Sequence, residues 1–224
     1  MRISAIIQSL KLSNKLVKDL IKDIEVIKNL RVVNIGHYAS RMGTVFLHSL
    51  LDSHPQILTI PGVQNYNSIL SKNITSPEEA LRIFERDNPK FYDTSSFTEF
   101  DIGNIGFHTL GDSKKEKIIT KKKSFRKYFY FFLKDNKISV KNIILSIYFA
   151  YSKVHQINTE KLKILLLHPH DKKPTILFKK YFDNSKFIIP IKNPFIVYQS
   201  IVNSTRFKCK KRNWSYYPNN QLIE

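Results

Sequence analysis

The sequence predicts an α/β protein with a central parallel sheet flanked by helices. Three observations carry this expectation. First, Val32–Ile35, Lys163–Leu167 and Phe187–Ile191 are short apolar runs of strand length. Second, each run stops at a Gly-, His- or Pro-bearing loop and is followed by apolar residues at helical spacing. Strands that alternate with helices imply parallel pairing through crossovers. Third, 224 residues at 42% hydrophobic and 12% aromatic can build a substantial core, which excludes a disordered chain.

The elements follow in order. Ile3, Ile6, Ile7 and Leu10, then Leu16, Val17, Leu20, Ile21, Ile24 and Ile27, recur at three and four. Residues 1–30 are therefore expected to form an amphipathic helical arm, interrupted near Ser13-Asn14, ahead of an α/β domain at 31–224. Val32–Ile35 is the first strand and ends at Gly36. A polar loop with Ser40, Arg41, Gly43 and Thr44 leads into a helix carrying Val45, Phe46, Leu47, Leu50 and Leu51, closed by His54-Pro55. Pro61-Gly62 marks a turn, and Pro77-Glu78-Glu79-Ala80 a helix start. Residues 87–113 read as loop-rich and 124–155 as helical and apolar. Two strand–helix units complete the chain, the second opening at Lys192-Asn193-Pro194, where Pro194 suits a first helical turn. Pro190 argues that its strand is an edge or carries a bulge, since a central strand rarely gives up an N–H.

In parallel sheets ligands gather beyond the carboxyl ends of the strands. The loop from Gly36 to Thr44, His168 and Lys192 all stand at such ends. A strand, a tight loop with a cation and a Gly, and then a helix present backbone N–H groups to an anion, so phosphate or sulfate is the expected ligand. The loop is P-loop-like but is not the nucleotide-triphosphate version, which needs Gly, four residues and then Gly-Lys-Ser/Thr. Counting from Gly36 places Arg41 and Met42 at the Gly and Lys positions.

Arg41-Met42-Gly43-Thr44-Val45, with His54-Pro55 closing the helix, resembles the 5′-phosphosulfate loop of the sulfotransferases, usually Arg-Ser-Gly-Thr-Thr/Ser before a helix ending in His-Pro. Lys192-Asn193-Pro194 and Ser200 resemble the family's Arg-Asp/Asn-Pro and the Ser eight residues after that Arg, which hold the 3′-phosphate. His168-Pro169 stands where the tyrosylprotein and many bacterial members carry Lys-Thr/Ser-Pro. The likeness covers about 31–60 and 160–206, in the family's order.

This resemblance implies a sulfotransferase that uses 3′-phosphoadenosine 5′-phosphosulfate as co-substrate and sulfates an acceptor hydroxyl, with carbohydrate the suggested acceptor. It assigns Ser40, Arg41, Met42, Gly43, Thr44, Val45, Lys192 and Ser200 to donor binding. Met42 and Val45 replace family hydroxyls, and Lys192 lacks the guanidinium fork. The carboxylate that follows His-Pro in the tyrosylprotein branch is missing from 57–62, which leaves His108 and His168 as the candidate catalytic bases, with Glu99 and Asp101 as outside options. His168 and His170 lack an accompanying Cys or carboxylate cluster, so no metal is expected. The alternative is a degenerate relative that keeps the anion pocket without transfer, favoured by Met42, Val45, Lys192, the missing base and the short stretch after Phe207.

Global features bound both readings. No apolar run reaches the roughly 18 residues of a membrane span. The N-terminal apolar start is broken by Gln8 and Lys11, unlike a secretory core. The one cysteine, Cys209, excludes an internal disulfide. A cytoplasmic setting is expected. The formal charge of +19 predicts attraction to polyanions. Its densest run, Lys114 to Lys127, precedes Tyr128–Leu133. The preferred reading there is a solvated helix start feeding a buried aromatic face. Single-stranded nucleic acid or an acidic membrane surface is the lesser expectation.

Overall fold

The structure, a computed structural model, describes residues 14–36, 42–60, 62–93, 118–169 and 172–212, with the backbone alone at 172–175 and 204–212. The elements are α1 (Asn14–Lys28), β1 (Arg31–Ile35), α2 (Thr44–Leu51), β2 (Ile57–Leu58), α3 (Asn67–Ser71) and α4 (Pro77–Asp87). Then come α5 (Lys122–Lys134), α6 (Val140–Val154), a 3-10 turn (Thr159–Lys161), β3 (Ile164–Leu167), α7 (Lys172–Tyr181), β4 (Lys186–Ile188) and α8 (Pro194–Arg212).

The four strands form one parallel sheet in the order β2-β3-β1-β4. Val33 lies opposite Leu166 and Asn34 opposite Leu167, so alternate residues of neighbouring strands share a face. On one face Val33, Ile35 and Leu166 pack under Leu47 and Leu51 of α2. The other face meets a far larger core. Leu165 and Leu167 join Leu20, Ile24 and Ile27 of α1, Phe84 of α4, Phe125, Phe129 and Phe132 of α5, and Phe149 of α6. Each fully buried ring there is worth roughly 1.5–3 kcal/mol over its exposed state.

α6 is buried without interruption from Ile143 to Ser152, so it has no solvent stripe. Ser146 and Ser152 remain tolerable there because their hydroxyls donate to the carbonyls of Ile143 and Phe149, at 2.7 and 2.8 Å. Asp23 fastens α1 to this layer: Lys153 donates to its carboxylate at 2.5 Å, and Thr159 donates to the other oxygen. α4 begins as its sequence announces, with Ser76 accepting from the Glu79 N–H at 3.1 Å and Pro77 in the first turn.

Three details differ from the sequence reading. The apolar stretch 124–155 is two helices, because Ser139 caps α6 from outside and accepts from Asn142 N–H at 3.2 Å. β4 stops at Ile188, two residues before Pro190, whose missing N–H would break further pairing; β4 ends the order of the four strands. β2 and α3 were not anticipated, and β2 is only two residues long. Among the described residues no helix is long and apolar enough to cross a membrane.

The basic helix start resolves as a solvated face over a buried aromatic one. Phe125, Phe129 and Phe132 of α5 are fully buried. Arg126 grips Glu85 of α4 with two donors, at 2.8 and 2.5 Å, and Lys122 stands 3.6 Å from the same carboxylate. Burial alone would raise the Glu85 pKa, but hydrogen bonds from Arg126 and Tyr92 outweigh it, so the net shift is downward.

Candidate functional site

The carboxyl ends of β1, β3 and β4 meet at one rim. β1 runs out at Gly36, whose N–H donates to the Ile188 carbonyl at the end of β4, at 2.9 Å. This bond holds the chain leaving β1 beside the segment that carries Lys192. The loop re-emerges at Met42 and Gly43, both half-buried. Gly43 sits immediately before α2 with φ 88°, in the left-handed region that side chains resist. No side chain among the described residues caps α2. The first N–H groups of such a helix have no intrahelical acceptor, and a helix start of this kind favours negative charge.

Lys192 reaches this turn. A Cβ placed on Gly43 would lie 3.6 Å from Lys192 Cε and 3.8 Å from its ammonium nitrogen. The cation and the helix start are thus adjacent, though 149 positions separate them in the chain. The local chemistry of Lys192-Asn193-Pro194 explains the pose. Asn193 caps α8, its side-chain oxygen accepting from Phe195 N–H at 2.9 Å, and Pro194 fills the first helical position. Lys192 is left exposed just outside the helix.

Behind the rim lies a buried polar cluster at the end of β3. His48 of α2 and His168 touch through their Nδ1 atoms at 2.9 Å, with rings nearly perpendicular at 74°. His48 Nε2 lies 2.7 Å from Thr59 Oγ1, whose hydroxyl donates to the Leu166 carbonyl at 3.5 Å. Tyr148 donates to the same carbonyl at 3.1 Å and accepts from Tyr66 at 3.4 Å. Gln64 N–H donates to the His168 carbonyl at 3.1 Å. Burial pushes the His48 pKa down to about 4, so the ring is neutral near pH 7.

A neutral ring carries one proton, and this constrains the pair. With Thr59 donating to Leu166, His48 Nε2 supplies the proton to Thr59 and its Nδ1 becomes an acceptor. The contact then requires His168 to donate through its Nδ1.

The sequence candidates fall as follows. Gly43 and Lys192 are brought together. Thr44 is buried, and Met42 and Val45 are half-buried beside Gly43. Ser200 lies in the second turn of α8, half-buried, roughly 9 Å along the axis from Pro194. His168 is 1% exposed. Ser40, Arg41, Glu99, Asp101, His108 and His170 lie outside the described residues. Among the described residues no group of three or more His, Cys, Asp or Glu could hold a metal.

Sequence reasoning missed His48, Thr59 and Tyr148. One signal was present: Thr44 and His48, four apart, place two polar residues on the side of α2 that also carries Leu47 and Leu51. Asn34 is a second such signal. It interrupts an apolar strand, is fully buried, and its amide has no hydrogen-bond partner among the described residues. Comparison of the chain with family models, curated proteins and solved structures returned no match.

Proposed function

We propose that the chain binds 3′-phosphoadenosine 5′-phosphosulfate at this rim and transfers its sulfuryl group to an acceptor hydroxyl, with carbohydrate as the acceptor class. The observation that carries the reading is the approach of Lys192 to Gly43 at the start of α2. Lys192 brings a positive charge beside the first N–H groups of α2, and an anion at that helix start would accept from both. The parallel strand order, with the loop after β1 and Lys192 after its neighbour β4, is what a P-loop-like site requires.

In this reading Arg41 and the N–H groups from Gly43 onward receive the 5′-phosphosulfate, and Lys192 and Ser200 receive the 3′-phosphate. The acceptor oxygen attacks sulfur as the bond from sulfur to the 5′-phosphate oxygen breaks. The phosphate keeps that electron pair, and the hydroxyl proton passes to a base. Positioning and charge supply most of the acceleration in such transfers. His108 and His168 are the candidate bases for that proton.

A non-catalytic binding relative is the second reading, favoured by His168 being 1% exposed and by apolar side chains at Met42 and Val45. Calorimetric titration with 3′-phosphoadenosine 5′-phosphate separates the outcomes. Wild type is expected to bind, and Lys192→Ala and Arg41→Ala to bind at least about tenfold more weakly, the loss of one charged hydrogen bond. No binding at millimolar nucleotide overturns both readings. Binding without sulfate transfer to sugars, phenols or peptides selects the second.

A further inference from the structure

A cleft of about 1890 Å³ opens at the other end of the sheet. All four strands contribute their beginnings. Gln56 immediately precedes β2, Arg31 and Ile164 open β1 and β3, and Lys186 opens β4. Among its 21 lining residues seven are Lys or Arg and three are Asp or Glu, a net charge of +4. The chain as a whole carries +19 on 224 residues, so the cleft is more than twice as basic as the average.

The acids there do not spread evenly. Glu160 pairs with Lys22 at 2.6 Å and Glu25 with Lys28 at 3.1 Å. Arg31, Lys141, Lys163, Lys179 and Lys186 make no ion pair among the described residues, and the third acid, Asp183, is the one carboxylate left to set against these five. Five cations around one open depression repel each other, and a bound polyanion relieves that repulsion.

We propose that this cleft binds an acidic polysaccharide, a sugar chain carrying sulfate or carboxylate groups. The lining chemistry selects the partner. Its one aromatic member, Phe182, is buried, as are Leu30, Leu145 and Leu162, whereas Val26, Val32 and Ile164 are half-buried on its floor. Among the lining residues no exposed ring is available to stack a nucleic-acid base, and the half-buried Val26, Val32 and Ile164 are too recessed to enter a bilayer as a large exposed apolar side chain would. Asn29, Asn184, Gln56 and Ser185 stand among the cations and can hydrogen-bond sugar hydroxyls. Six of the seven cations are lysines, point charges that tolerate irregular anion spacing. β1 holds this cleft and the anion loop roughly 16 Å apart, so both can be filled at once. The cleft reading is independent of donor binding and stands if the loop binds no nucleotide.

The test measures fluorescence anisotropy of a labelled, size-defined heparin oligosaccharide over a salt series, with oligo-dT and phosphatidylserine vesicles as rival ligands. Two variants carry equal charge changes: K163E/K179E/K186E in the cleft and K121E/K123E/K127E on the basic helix start. The cleft variant is expected to bind heparin about tenfold or more weakly, with a salt slope reduced by about two to three. The helix variant is expected to lose less than about threefold. Circular dichroism melting checks folding, and Lys163→Gln/Lys186→Gln carries the same comparison if the triple reversal does not fold. Equal losses in the two variants, tighter binding of oligo-dT or vesicles, or no heparin binding at low salt each overturn the proposal.

Discussion

The two ends of the sheet are built on opposite plans. At the carboxyl ends one exposed lysine stands over a glycine turn, backed by a cluster of histidines, hydroxyls and carbonyls closed off from water. At the amino ends the cations are many, mostly exposed and spread over an open surface, with buried apolar residues beneath them. The first plan fixes a few groups in one geometry and suits a small ligand of defined shape. The second gains affinity by number and suits a polymer. A net charge of +19 therefore says little until its placement is known.

The contrast breaks most visibly with acid. The His48 pKa falls from an ordinary 6.5 to about 4 because burial disfavours the charged ring. Below about pH 6.5 the unfolded chain takes up a proton that the folded ring refuses, so stability declines until about pH 4 and then levels. The loss from this group amounts to about 3 kcal/mol. Urea unfolding at pH 7, 5.5 and 4.5 checks this, with His48→Gln expected to flatten the decline. An unchanged decline in that variant would assign the titration to other groups.

A crossed binding experiment sharpens the separation of the ends. Lys192→Ala is expected to weaken 3′-phosphoadenosine 5′-phosphate about tenfold and to leave heparin within about twofold, with the cleft reversals doing the opposite. If either variant moves both ligands equally, the two ends share one electrostatic field and the distinction collapses. Gly43→Ala tests the rigid end by backbone strain alone. At φ 88° an added Cβ should cost about 1 kcal/mol, read as a lower midpoint in urea, without a clash against Lys192, which would lie in ordinary contact at 3.6 Å.

Asn34→Leu asks whether polar burial near the rim is kept against stability. An apolar residue of similar size should raise stability by roughly 1 kcal/mol if the amide is unsatisfied. A lower stability would mean the amide makes a bond that the leucine removes. The smallest effect belongs to neither end: Arg126→Ala on α5 breaks a half-exposed pair with Glu85 and should cost about 0.5 kcal/mol.

The layered α/β class, three of the four strands and the helix after β1 are legible in the chain without coordinates. Those elements are encoded locally, in apolar runs that end at Gly36, His168 and Lys192 and in the spacing of Leu47, Leu51 and their neighbours. The sequence also singled out Gly43 and Lys192, because each sits at a strand end where a parallel sheet gathers ligands. That these two meet is a consequence of the folded strand order. The fold likewise places His48 against a histidine 120 positions away and joins the starts of four strands into one basic cleft. β2 shows the limit most plainly. Two residues carry no period of their own, and they become a strand only because Ile57 and Leu58 fall in register with Ile164 and Leu165. Local side-chain pattern sets what each segment becomes, whereas strand order and register bring distant residues together, and no short stretch of sequence encodes those.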